Sequence, residues 1–126
     1  MGPATDRQRE VYEHLLKAQV ACIDAMKPGA NGKEVDGLAR SILDEKDLAQ
    51  YFGHGLGHGL GALVHDTGRL SPIVEQDIKV GQVWTIEPGV YIEDFGGMRI
   101  EDDIVITEGE PDVLTTFPKD LIEVSC

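Results

Sequence analysis

An α+β fold, two helices followed by antiparallel strands, is what the sequence predicts, on three observations. Apolar residues recur at helical spacing from residue 7 to about residue 45. From Gly53 onward that period gives way to glycines, β-branched residues and short alternating stretches. The chain has 126 residues, 41% of them hydrophobic, which suits one compact domain with its own core. No internal repeat, low-complexity tract or linker divides it.

The first helix covers residues 7–26. Val11, Leu15, Ala18, Cys22 and Met26 form its apolar stripe, widened by Tyr12, Leu16 and Ile23. Pro28-Gly29 ends it, because proline cannot continue the ladder and glycine suits a left-handed exit. The second helix runs from Gly32 to Glu45. Asn31 is its N-cap, Glu34 three residues later resembles a capping box, and Val35, Leu38, Ala39, Ile42 and Leu43 mark its buried face. Both helices read as structural packing. Four strands follow: Leu60–His65, Gln82–Ile92, Gly97–Thr107 and a short one near Val113–Thr116. Turn signals at Ser71-Pro72, Asp94–Gly97 and Glu108–Pro111 separate them.

Charge narrows the range of partners. Lys+Arg number 11 against Asp+Glu 23, a net charge of −12, which opposes binding to phosphate backbones; no nucleic-acid partner is expected. No apolar run approaches the ~20 residues of a bilayer span, and the start of the chain carries no signal-peptide hydrophobic region, so no membrane partner is expected. Cys22 and Cys126 are far apart and neither has a CxxC neighbour, which fits a reducing, cytoplasmic setting.

The chemistry concentrates in three segments. In Gly53–Asp66 three of the four histidines, His54, His58 and His65, fall within twelve residues, and glycines occupy alternate positions from 53 to 61. In extended backbone those glycines line one face, where something must approach closely, while His54 and His58 share the other. His65 has the opposite parity, so the three converge only through a bend or bulge. A flexible glycine loop would explain the glycines but not the clustered histidines. In the second segment, Trp84–Tyr91, Trp84 and Ile86 point one way, Thr85 and Glu87 the other. In the third, Gly96–Ile104, Met98, Ile100 and Ile104 share one face, Arg99 and Glu101 the other. A lone strand glutamate faces solvent as a rule. Two of them beside a histidine cluster call for a compensating cation, because like carboxylates repel and lose hydration. One imidazole with carboxylates suits Mn²⁺, Co²⁺ or Zn²⁺ and not a thiolate zinc site.

The blocks GHGLGHGLGALVHD, TIEPGVY and GGMRIEDDIVIT resemble the Xaa-Pro metallopeptidases, prolidase and aminopeptidase P, of the pita-bread (creatinase-like) fold. The resemblance spans essentially the whole chain. It implies hydrolysis of the peptide bond before proline, in small peptides with proline at the second position, by two divalent ions, Mn²⁺ foremost and Co²⁺ or Zn²⁺ as alternatives. It further implies His58, Glu87 and Glu101 as metal ligands and Glu87 also as general base. His54 and His65 would bind substrate and stabilise the oxyanion, and Arg99 would orient the carboxylates. Two aspartate ligands complete the family's shell, and Asp6, Asp66 and Asp77 match neither motif. The resemblance therefore implies that residues 1–126 are the C-terminal portion of a catalytic domain, inactive alone, with weak metal binding or none, and self-associating as a homodimer or larger assembly. Arg69 reads as a surface arginine, with contact to a dipeptide carboxylate as the alternative.

A non-catalytic pita-bread protein-binding module is the competing reading, and creatinase, which needs no metal, is a third. A binding module has no use for this histidine and glutamate set, and creatinase would not keep both glutamates.

Overall fold

The computed structural model describes residues 2–124; Cys126, and with it any pairing to Cys22, lies outside the described residues. Helix α1 (Asp6–Ala25) starts from a capping box in which Thr5 accepts from the Gln8 N–H and the Gln8 side chain accepts from the Thr5 N–H, a signal the sequence reading passed over. Helix α2 (Gly32–Asp44) is capped by Asn31, whose side chain accepts from the Lys33 N–H at 2.9 Å; Glu34 sits in its first turn, and the reciprocal box is found at α1 instead. The chain between the helices turns through Gly29 at φ +87°, a conformation glycine adopts without strain. A short 3-10 turn (Ala49–Tyr51) follows α2.

The predicted apolar stripes are the core. Val11, Leu15, Ala18 and Cys22 of α1 and Val35, Ala39 and Leu43 of α2 are buried in one cluster with Leu56, Leu70, Trp84, Ile86, Val90, Ile104 and Ile106. The helices thus pack on one another and on the strand layer, as an α+β architecture requires.

Seven short strands form that layer: β1 (Gly57–His58), β2 (Arg69–Leu70), β3 (Val83–Ile86), β4 (Gly89–Ile92), β5 (Gly96–Arg99), β6 (Asp102–Val105) and β7 (Asp112–Val113), all paired antiparallel. Three expectations need correction. Leu60–His65 is an exposed irregular loop and not a strand. Gly57 pairs with Leu70 and His58 with Arg69, so the residues between must reverse the chain and cannot extend it. The expected strand Gln82–Ile92 is broken into β3 and β4 at Glu87-Pro88, and Gly97–Thr107 into β5 and β6 at Ile100-Glu101.

Both breaks fall at one place. β3 pairs with β6 and β4 with β5 in a single continuous register, Ile86 opposite Asp102 and Gly89 opposite Arg99. In that register Glu87 stands opposite Glu101. Proline has no N–H to give, the Glu87 N–H goes to the Leu56 carbonyl at 2.8 Å, and only the Ile100 N–H reaches across, to the Pro88 carbonyl at 3.3 Å. Like charges directly opposed across a ladder are unfavourable. The hairpin is therefore interrupted where its two glutamates meet.

Candidate metal centre

The glycine run is what lets the histidine segment lie on β3. Gly59 bridges to Trp84, the Leu60 N–H donates to the Val83 carbonyl, and the Glu87 N–H to that of Leu56, so residues 56–60 run antiparallel beside β3. A Cβ at Gly57 would sit 1.9 Å from the Thr85 carbonyl oxygen, one at Gly59 2.1 Å from that of Thr67, and one at Gly55 2.6 Å from that of Leu70. The alternation read in the sequence is thus a set of close backbone approaches at Gly55, Gly57 and Gly59, while Gly53 faces open space and Gly61 meets the Asp66 side chain.

This seating places His58 against Thr85. The His58 backbone N–H donates to Thr85 Oγ1 at 3.0 Å, and that hydroxyl donates to Glu87 Oε1 at 3.1 Å. Thr85 is buried, although its parity suggested an open polar face, because β1 covers it. It is a site residue the sequence reading missed; its only local signal was its place two residues before Glu87.

The imidazole of His58 is oriented at both nitrogens. Nδ1 lies 3.0 Å from the Gly59 carbonyl, which can only accept, so Nδ1 carries the proton. Nε2 then faces Glu87 Oε1 at 3.4 Å, with both side chains almost fully buried. A lone pair facing a carboxylate is reconciled only by a cation, whether a proton on Nε2 or a metal ion. A backbone carbonyl fixing the far nitrogen is also the usual way a metal-ligating histidine is held.

Arg99 joins the second carboxylate. Its guanidinium lies 3.7 Å from Glu87 Oε2 and 3.3 Å from Glu101 Oε2. Burial, and then the neighbouring charge of Glu87, push the Glu101 carboxyl above its ordinary value. His54 is held differently: Nδ1 donates to the Gly55 carbonyl at 2.8 Å, and Nε2 lies 3.2 Å from the Tyr91 hydroxyl. His65 returns through the 60–66 loop so that its ring lies 4.3 Å from that of His58. The required bend is this loop. Arg69 is exposed and donates to the carbonyls of Asp66 and Gly68 at 3.0 and 2.8 Å.

His54, His58, His65, Arg69, Glu87 and Arg99 line one cavity of about 270 Å³, open to solvent, whereas Thr85, Tyr91 and Glu101 do not line it. The structure therefore brings His58 and Glu87 into direct reach, links Glu101 to them through Arg99, and sets His54 and His65 around the same space. Among the described residues no group of three His, Cys, Asp or Glu side chains is already gathered around one point as a closed cage. The donor set, one imidazole nitrogen and two carboxylates, fits a borderline or hard divalent ion.

The sequence pattern of metallopeptidase family M24 matches residues 1–108. The chain belongs to metallopeptidase family M24. Its M24 relatives include the Xaa-Pro dipeptidase of Pyrococcus furiosus, 44% identical over 122 residues, which are 97% of this chain and 35% of that protein. Among solved M24 structures, the prolidase of Pyrococcus horikoshii OT3 superposes with a TM-score of 0.93 at 43% identity, covering 97% of this chain and 35% of that one. The X-Pro aminopeptidase of Thermotoga maritima MSB8 superposes with a TM-score of 0.90 at 38% identity, over 95% and 34% respectively. The chain thus spans about a third of the length of the M24 proteins it matches. Its two helices followed by antiparallel strands are the pita-bread arrangement of those prolidases over that span.

Proposed function

We propose that this M24 chain is the C-terminal portion of the catalytic domain of an Xaa-Pro peptidase that cleaves the peptide bond before proline in short peptides. The observation that carries this reading is the His58–Glu87 contact, a lone-pair nitrogen and a carboxylate oxygen 3.4 Å apart in a cleft lined by two further histidines and Arg99. His58, Glu87 and Glu101 are the residues that would hold a divalent ion. Divalent ions at such a site supply Lewis acidity and a water acidic enough to attack a carbonyl near neutral pH.

The chain's own residues supply the rest. Glu87, already the acceptor of the Thr85 hydroxyl, takes up the proton of the attacking water and passes it to the leaving proline nitrogen. His65, exposed at the cavity mouth, donates to the developing oxyanion, a contribution worth about 2.7–4 kcal/mol for a well-placed donor. His54, which lines the same cavity, binds the substrate. In its neutral form its Nε2 accepts from the Tyr91 hydroxyl, so it donates through that nitrogen only as imidazolium. Arg99, paired with both glutamates, orients them. The nitrogen of the bond to be cleaved, a proline's, carries no N–H for an enzyme to recognise.

Calorimetric titration with Mn²⁺ and Co²⁺ tests the reading, with His58→Ala as the control. The chain by itself is expected to bind at most one ion, weakly, to lose that binding in His58→Ala, and to hydrolyse Xaa-Pro dipeptides little or not at all. The same motifs within a full-length protein are expected to hydrolyse them with Mn²⁺ or Co²⁺. Tight binding of two ions by the 126 residues, or binding indifferent to His58→Ala, defeats it.

A further inference from the structure

Segment 52–56, which carries His54, has no helix or strand of its own to satisfy its backbone. Three of its backbone polar groups are met by one ion pair on α2. Asp36 and Arg40, one helical turn apart, are joined by Arg40 Nε to Asp36 Oδ2 at 2.7 Å and Nη2 to Oδ1 at 3.4 Å, with the aspartate side chain fully buried. The remaining valences all point at the segment. Arg40 Nη1 donates to the Phe52 carbonyl at 2.9 Å and Nη2 to the His54 carbonyl at 2.7 Å, while the Leu56 N–H donates to Asp36 Oδ1 at 2.9 Å.

The same pair reaches the imidazole and the glutamate. Arg40 lies over the Phe52 ring, 4.5 Å from its centroid, and the Phe52 ring meets that of His54 edge-on at 5.0 Å and 88°. The Leu56 carbonyl accepts the N–H of Glu87, so Asp36 and Glu87 are joined through a single residue. A surface helix pair has no need of a buried carboxylate or of three loop contacts. The Arg40 guanidinium makes four bonds, two to the Asp36 carboxylate and two to carbonyls; an ammonium has three N–H groups and no planar fork to match them.

We infer that the Asp36–Arg40 pair of α2 is the positioning device for the His54 imidazole: by holding the backbone on either side of the Gly55 carbonyl, which accepts from Nδ1, it fixes the ring plane and tautomer in the cavity that His54 shares with His58. The inference rests on the reading of His54 as a substrate-facing group only for what the ring does there; the clamp itself is independent of metal and substrate.

The test is a histidine-selective ¹⁵N NMR spectrum of the whole chain without added metal, at about pH 8.5 where imidazoles are ordinarily neutral. Wild type is compared with Arg40→Met, Arg40→Lys and Phe52→Leu, each first shown to be folded by its thermal melt. Wild-type His54 is expected to show two widely separated ring nitrogens with Nδ1 protonated. In Arg40→Met those resonances converge toward the average of the two tautomers, and the Leu56 amide exchanges about tenfold faster. Arg40→Lys and Phe52→Leu fall in between. His58, anchored by Gly59 and Thr85, keeps its wild-type pattern throughout. If Arg40→Met does not fold, Arg40→Lys decides in its place. An unchanged His54 spectrum in a folded Arg40 variant overturns the inference, as does a wild-type His54 that already averages its tautomers, or a change shared equally by His54 and His58. None of these signals requires metal or peptidase activity, so the expected spectra together with metal binding indifferent to His58→Ala would sink the functional reading and leave the clamp standing.

Discussion

Single residues do unequal work in this chain, and the glycines show it most plainly. Gly53 has open space where a Cβ would point, whereas Gly57 is pressed on the Thr85 carbonyl. Gly53→Ala is therefore expected to leave stability within about 0.5 kcal/mol of wild type. Gly57→Ala should cost about 2 kcal/mol or more and draw His58 off Thr85. Urea denaturation of the two variants side by side measures the difference. Cys22 is a second case. Burial, and then the charge of Asp36, push its thiol up to about 12, so at pH 8 it is protonated and shielded. In a Cys126→Ser chain a thiol reagent should leave the native protein unlabelled over hours and label it within minutes in denaturant; fast native labelling would contradict the packing of α1 on α2. At this scale the sequence was informative about residue type and poor about partners. His54, His58, His65, Glu87, Arg99 and Glu101 could be picked out by clustering and parity, whereas Thr85, Asp36 and Arg40 act through backbone groups 12 to 27 residues away, which local spacing does not reveal.

Helices were easier to read than strands. The stripes of α1 and α2 report a period that their mutual burial enforces, and the observed ends differ from the expected ones by a single residue at each boundary that moved. Strand ends were obscured because alternation runs straight through Glu87-Pro88 and Ile100-Glu101, where the ladder is broken by a missing N–H and by facing carboxylates. Exposed ion pairs tie the elements together at their rims: Glu10 with Lys46 at 3.0 Å, Lys17 with Glu45 at 2.5 Å and Lys33 with Glu75 at 2.6 Å. Hydrogen bonding to Lys46, Lys17 and Lys33 respectively holds the three carboxyls below their ordinary values. A carboxylate lowered on folding stabilises above its unfolded pKa and loses that contribution as pH falls through the folded one. Thermal stability is thus expected to be flat down to about pH 5 and to decline below about pH 4.5. The decline should be shallower in roughly 1 M salt, which screens exposed pairs. Circular-dichroism melts from pH 3 to 7 at two salt concentrations check this; a stability maximum below pH 4 would contradict it.

For the molecule as a whole, surface and span matter most. Among the described residues no helix is long and apolar enough to cross a membrane. Apolar side chains are nevertheless well exposed, Leu63 at 68%, Val64 at 69%, Ile73 at 87% and Phe117 at 75%, and the edge strand β7 is exposed as well. Such surface favours association, so light scattering during size exclusion is expected to give a mass that rises with concentration; a constant monomer mass into the millimolar range would contradict this.

The shared register of the long hairpin carries a consequence for how such a sequence can change. Glu87 and Glu101 face each other only because the tip between Ile92 and Gly96 has its present length. Removing one residue there would slide one arm past the other and carry a carboxylate to the opposite side of the sheet. Removing a matched pair would shorten the ribbon and keep the acids opposed. The spacing of two acidic groups is thereby set some distance away, by a turn that touches neither of them.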